Sequence, residues 1–254
     1  MPAMHQFAAL RRAQETAFGP GEYVEQESFV RASEILTLAE RAGIRPGVSV
    51  LDLCCGIAGP GRYVTEELGC AYLGVDSSET AVAIAAERTR GLRCRFEVAE
   101  VPPLPPGRFE TVLLLETMLA FRDKEALLAE VARVLPEGGR FAFTLEEGVP
   151  LTEMERARMP AADTVWLTPL DELHALLARA GLTVLWQADW SESHREAAAS
   201  LTAAYAAEAT AIASEIGRGA LEDLLTAHRL WSEWLAGGRV RKFALVAERS
   251  AERL

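Results

Sequence analysis

Cysteine is scarce in this chain: four in 254 residues, Cys54, Cys55, Cys70 and Cys94. Two are adjacent, none forms a CxxC pair, and no Cys/His cluster has zinc-ligand spacing. That excludes a disulfide framework and a structural zinc site, so no metal is expected, and the thiols read as reduced residues of a cytoplasmic protein. Positive charge is also in short supply, with 26 Lys and Arg against 37 Asp and Glu and a net charge of −11. Nucleic acid and anionic membrane both reward a basic surface, so neither is an expected partner. The acidic balance favours a small neutral or cationic ligand. No stretch of about 18 apolar residues is present, so no membrane span is expected. The opening MPAMHQFAALRRAQE lacks the apolar segment and cleavage site of a signal peptide.

What is present suffices for a large core: half the residues are hydrophobic and a quarter are charged. The first fifty residues read as helix, Gly19-Pro20-Gly21 turn, and a second helix over Ser28 to Ala42. From residue 48 strands alternate with helices. Strands are expected near 48–53, 71–75, 92–98, 111–115 and 140–145, with helices near 61–68, 78–89 and 123–135. Alternation at this spacing predicts an α/β fold with a parallel sheet covered on both faces. Residues 151–168 read as irregular. A helix near 169–180 and a strand near 182–188 follow, then an alanine-rich helical stretch and a helix over 220–235. VRKFALVAE (240–248) alternates like a closing edge strand. The expected division is an N-terminal helical cap over 1–45 and a cofactor-binding core over 46–190. A helical insertion or lid over 191–237 and a closing strand over 238–254 complete it.

The sharpest motif is VLDLCCGIAGPG, residues 50–61. A buried strand ending in small residues before a helix presents backbone N–H groups and a positive dipole end at the sheet's carboxyl edge. The second strand ends in Asp76, twenty residues after Gly56, and an acid at that spacing accepts hydrogen bonds from ribose hydroxyls. A nicotinamide site would use GxGxxG and hold a pyrophosphate, which Asp52 at the first strand end would repel. A carboxylate there suits an ammonium or sulfonium ligand instead.

The stretch resembles the first motif of the S-adenosylmethionine-dependent methyltransferases of the Rossmann-like (class I) superfamily, written D-x-G-x-G-x-G. It reads here as Asp52, Cys54, Gly56 and Ala58. Two glycines are replaced by small residues, which requires that neither position needs positive φ. The resemblance implies a Rossmann-like parallel sheet with a C-terminal antiparallel edge strand and helical caps, and S-adenosyl-L-methionine as cofactor. It puts Asp76 on the ribose with Ser77 beside it, and Glu100 and Val101 on the adenine. EALLAEVARVLPEGGRFAF (125–143) is similar to the family's helix, Pro-Gly-Gly turn and fifth strand. Tyr23 and Gln26 resemble an N-terminal lid segment that covers the cofactor.

For the chemistry, the resemblance implies in-line transfer of a methyl group to a small-molecule acceptor, which needs alignment, exclusion of water and sometimes a base. Glu116, just past the fourth strand, is the catalytic candidate. It could hold the cofactor's ammonium, orient the acceptor or accept a proton, or simply be a solvated strand-end carboxylate. Many related enzymes carry a His four residues later, where this chain has Ala120. Met118, His228 and Trp231 are expected at the acceptor pocket, against a plain reading of His228 as a surface residue beside packed tryptophans. His194, in the polar run SESHR, is expected to face solvent or to sit at a helix start. All five tryptophans fall after residue 165 and serve either as core or as an aromatic cage. Glu146 and Glu147 would make the mouth acidic. The competing reading keeps the fold and cofactor but assigns non-methylation chemistry or a non-catalytic partner subunit. A homodimer is compatible with all of this.

Overall fold

The computed structural model describes residues 7–251. Seven strands form one sheet: β1 (Ser49–Leu53), β2 (Ala71–Asp76), β3 (Cys94–Val98), β4 (Thr111–Leu114), β5 (Arg140–Glu147), β6 (Leu182–Asp189) and β7 (Arg241–Arg249). Their order is β3-β2-β1-β4-β5-β7-β6. β1 to β5 pair in parallel, and β7 runs antiparallel to both neighbours, β5 and β6. The antiparallel closing strand is therefore present, but it lies inside the sheet and the edge is β6. Burial explains the placement: β7 is buried at six consecutive positions, whereas β6 after Leu182 alternates exposed and half-buried residues like a strand wetted on one face.

The chain order reverses between β1 and β4, so the carboxyl ends of these strands open a crevice where ligands of such sheets bind. Helices α3 (Gly59–Leu68), α4 (Glu79–Arg88), α5 (Lys124–Val134) and α7 (Leu170–Arg179) connect the strands. Their starts follow ordinary rules: Ser78 caps α4 by accepting from the Ala81 N–H, and Asp123 caps α5 by accepting from the Ala126 N–H. Leu51, Leu114, Val131 and Phe141, all fully buried, belong to the core on one sheet face. Val50, Tyr72, Ile35 and Leu38 belong to the core on the other.

Four other helices pack together. α1 (Ala8–Phe18) packs through Leu10, Ala13 and Phe18 on Leu201, Tyr205, Ile212 and Leu221 of α8 (Ser191–Ala207), α9 (Ala209–Ile216) and α10 (Arg218–Ala236). The N-terminal and inserted helices thus share one core of their own. The helix expected over 28–42 is shorter, α2 (Ala32–Arg41). Residues 22–31 form an irregular strap, because Gln26, buried, spends its amide on the backbone: it accepts from the Val24 N–H and donates to the Glu22 and Val30 carbonyls. The segment expected to be irregular contains α6 (Glu153–Arg158), started by a reciprocal Thr152–Glu155 capping box. Among the described residues no helix is long and apolar enough to cross a membrane.

Candidate active site

β1 delivers the loop Cys54–Ala58 to the start of α3, and the loop is tied to the end of β2. Asp76 Oδ2 accepts from the Gly56 N–H and Oδ1 from the Ser78 N–H, both at 2.9 Å. Each carboxylate oxygen has further lone pairs to offer. The loop needs left-handed backbone at Cys54 (φ 57°), Gly56 (φ 53°) and Ala58 (φ 58°). Sequence reasoning required that Cys54 and Ala58 avoid positive φ; both adopt it, at a cost of about 1–2 kcal/mol each. Close approaches fix two neighbouring glycines. A Cβ on Gly61 would lie 2.1 Å from Tyr72 Oη, and one on Gly59 would lie 2.4 Å from the Val24 carbonyl oxygen. The second contact is the strap crossing the start of α3, where Glu25 is pinned by Arg62 at 3.5 Å and by Arg88.

Strap and loop enclose a cavity of about 580 Å³ lined by Glu25 to Ser28, Asp52, Cys54, Gly56, Asp76, Ser78 and Thr117, among others. That volume accommodates a nucleoside-sized ligand. Asp52, buried, accepts from Tyr72 Oη at 2.5 Å. Burial, with the charge of Asp76 adding to it, pushes its carboxyl up to about 7 despite that hydrogen bond. Burial likewise pushes the Cys54 thiol up to about 12, so it stays protonated and is no nucleophile.

A second cavity, about 200 Å³, lies against the first and shares Glu27, Ser28 and Glu116 with it. Its walls are largely apolar, from Phe18, Phe29, Leu119, Leu201, Tyr205 and Trp231; Glu116, Glu146 and Lys242 also line it. Lys242, buried on β7, has its Nζ 2.5 Å from Glu116 Oε1 and is also paired with Glu146. Burial alone would raise Glu116, but the Lys242 ammonium and the His194 ring outweigh it and hold the carboxyl below its ordinary value. For Glu146 burial and the charge of Glu116 win, and its carboxyl is raised. Lys242 is raised by its two carboxylates against the effect of burial. The result is a Lys242–Glu116 ion pair beside a Glu146 drawn toward its acid form. His194, also buried, continues the row: Nδ1 lies 4.0 Å from Glu116 Oε2 and Nε2 3.6 Å from Glu34 Oε2.

Residues 50–139 match the family model described as a methyltransferase domain. That segment, from β1 to the turn before β5, is similar to a methyltransferase domain. Over 184 residues it is 29% identical to the methyltransferase GfsG of Streptomyces halstedii, 66% of each chain. Over 130 residues it is 32% identical to phosphoethanolamine N-methyltransferase 1 of Arabidopsis thaliana, which is 50% of this chain and 26% of the plant enzyme. It therefore spans just under two thirds of one relative and about a quarter of the other. Its fold matches phosphoethanolamine N-methyltransferase 2 of Haemonchus contortus, solved with phosphomonomethylethanolamine and S-adenosylhomocysteine. That match has a TM-score of 0.79 at 20% identity and covers 94% of this chain and 57% of the other. S-adenosylmethionine is the cofactor that methyltransferases of this fold use. The larger cavity has room for it, with the Asp76 carboxylate and the left-handed Cys54 and Gly56 along its wall.

Within the methyltransferase fold the sequence-derived residues separate. Asp52, Cys54, Gly56, Asp76 and Gln26 line the larger cavity, although Gln26 acts as a strut of the strap. Ala58 is buried at the helix start behind the loop. Ser77 and Glu100 are exposed, and Val101 is half-buried against the core; none of the three lines that cavity. Tyr23 also lies off it, because its hydroxyl donates to Gln14 Oε1 at 2.7 Å and its ring stacks on Phe18.

Glu116 lies at the junction, and His228 and Trp231 line the smaller cavity. Met118 does not: it is fully buried in the sheet core, and its neighbour Leu119 faces the cavity instead. An aromatic cage does not form, since Trp234 packs in the cap and Trp186 and Trp190 pack on the sheet, while Trp166 lies between Arg122 and Arg156. His194 is buried, not solvent-facing. Glu147 is tied to Arg241 at 2.9 Å. His5 lies outside the described residues. Lys242 was missed, although a lysine inside the apolar run VRKFALVAE was a visible signal.

Proposed function

We propose that this protein transfers a methyl group from S-adenosylmethionine to a small-molecule acceptor by in-line displacement. The observation that carries this reading is the contact of the two cavities through Glu27, Ser28 and Glu116. A donor in the larger cavity and an acceptor in the smaller one would meet there. When bound, the cofactor supplies an electrophilic methyl group on a sulfonium. Asp76 is suited to accept from the ribose hydroxyls, and the loop Cys54–Ala58 to frame the ribose and methionine portion. Glu100 and Val101, two and three residues beyond β3 at the same sheet edge, are assigned to the adenine end. Glu116 is assigned to the methyl end as a lasting negative charge: its partnership with Lys242 favours stabilising a cation over taking up a proton.

The acidic excess supports a small molecule over a nucleic acid as partner, and the free cysteines support a reducing, cytoplasmic setting. Methyl-labelled S-adenosylmethionine incubated with a panel of phenols and amines tests the proposal. The expected result is labelled product with stoichiometric S-adenosylhomocysteine. Glu116→Gln should lower kcat by about 10²-fold or more with little change in cofactor affinity. Equal losses in both would move Glu116 to cofactor binding, and absence of any transfer across the panel would contradict the proposed activity.

A further inference from the structure

His228, on α10, points the acceptor cavity toward a particular chemistry. Its Nδ1 lies 2.8 Å from the Leu224 carbonyl oxygen, four residues earlier on the same helix. A carbonyl can only accept, so Nδ1 carries the proton and the neutral ring's lone pair is left on Nε2. No hydrogen bond to Nε2 is present among the described residues. The ring is clamped edge-on by Phe29 at 5.6 Å and Tyr205 at 4.9 Å between centroids, so its orientation is set by packing. It lines the acceptor cavity. The titratable groups that line this cavity with it are Glu27, Glu116, Glu146, Tyr205 and Lys242. Lys242, the cation among them, is already committed to Glu116 and Glu146. No arginine lines the cavity.

We infer that the acceptor is a compact, mainly apolar hydroxy or amino compound without phosphate or carboxylate, and that His228 Nε2 takes the proton it loses. This rests on the methyl-transfer reading. A phosphate or carboxylate would enter an apolar, carboxylate-bearing cavity with no unspent positive charge to receive it, which is strongly unfavourable. A phenol, alcohol or amine needs only one polar partner there. As the acceptor heteroatom forms its bond to the methyl carbon, the carbon–sulfur bond breaks with its electron pair passing to sulfur to leave S-adenosylhomocysteine, and the acceptor's O–H or N–H bond breaks as the proton moves to Nε2. The ring becomes an imidazolium that keeps its Nδ1–H bond to Leu224. Burial holds the free ring below its ordinary pKa, so it starts neutral and ready to accept.

The test uses the full chain saturated with S-adenosylhomocysteine and ring-labelled histidine, with the His228 resonance identified through His228→Gln. Calorimetry of S-adenosylhomocysteine binding is the separate check on the underlying reading. 4-Propylphenol and hexylamine are the apolar probes, and phosphoethanolamine is the anionic one. The inference predicts that at least one apolar probe shifts the His228 resonance and is methylated, while phosphoethanolamine does neither. H228Q should then lower kcat about 10²-fold or more with a small change in KM, and remove the acid limb of the kcat profile. The inference is overturned if phosphoethanolamine saturates the site, if no apolar probe perturbs His228 while S-adenosylhomocysteine binds, or if H228Q keeps kcat and its pH profile. Failure of S-adenosylhomocysteine to bind would instead remove the cofactor reading on which all of this depends.

Discussion

Lys242 Nζ lies 2.5 Å from Glu116 Oε1, joining the last strand of the sheet to the turn that follows β4. The same ammonium also meets Glu146, so one buried cation serves two buried carboxylates. Removing one partner of such a group leaves uncompensated charge in a dry setting. Lys242→Met should therefore destabilise the fold by about 3–5 kcal/mol. Neutralising the carboxylates as well, in Lys242→Met with Glu116→Gln and Glu146→Gln, should recover much of that loss. Denaturant unfolding of the two variants checks this; a triple variant no more stable than the single one would count against the charge argument.

Ala58 is an L-residue in left-handed backbone at the start of α3. Ala58→Gly relieves that strain at the expense of greater freedom in the unfolded chain, a net gain of up to about 1 kcal/mol. Ala58→Val, β-branched and buried at the same φ, should lose about 2 kcal/mol or more. Thermal unfolding measured on both variants decides it, and a clear loss for the glycine variant would contradict the strain assignment.

Asp52 carries the largest expected pH effect on stability outside the Lys242 row. Its carboxyl is raised from 3.8 to about 7 by burial, so between those values the folded protein binds the proton more tightly than the unfolded chain does. Stability from this group is thus fully present at low pH and is lost as pH rises from about 4 through 7. Asp52→Asn should remove that component, leaving a variant whose stability falls less than the parent's between pH 5 and 8. Parallel pH dependence in the two proteins would show that Asp52 is ionised throughout.

The sheet was legible because β1, β2, β4 and β5 are mainly buried runs bounded by turn residues, and the loop because small residues sit between a strand and a helix. The position of β7 was not, since alternation in VRKFALVAE shows a strand but not its neighbours. A Thr152–Glu155 capping box was in plain view and α6 was still read as irregular, because residues around it lack a helical apolar stripe. At the site, Asp76 and Glu116 were found from their place after strands. Met118 and Tyr23 were misplaced because proximity in sequence does not say which way a side chain turns. His194 looked polar among SESHR, and only the packing of α8 beneath the strap buries it between Glu34 and Glu116. Lys242 was overlooked because its partners are about a hundred residues away, a separation no local pattern encodes.

The Cys54–Ala58 loop and Asp76 are proposed to form an S-adenosylmethionine site. Asp76 accepts from the Gly56 and Ser78 N–H groups and would accept from the ribose as well. Calorimetric titration of S-adenosylhomocysteine into the parent protein and Asp76→Ala tests it directly. Binding to the parent should be measurable, with a loss of about 1.5–3 kcal/mol, roughly 10- to 100-fold, in the variant. No binding to the parent, or equal affinity in both proteins, would contradict it.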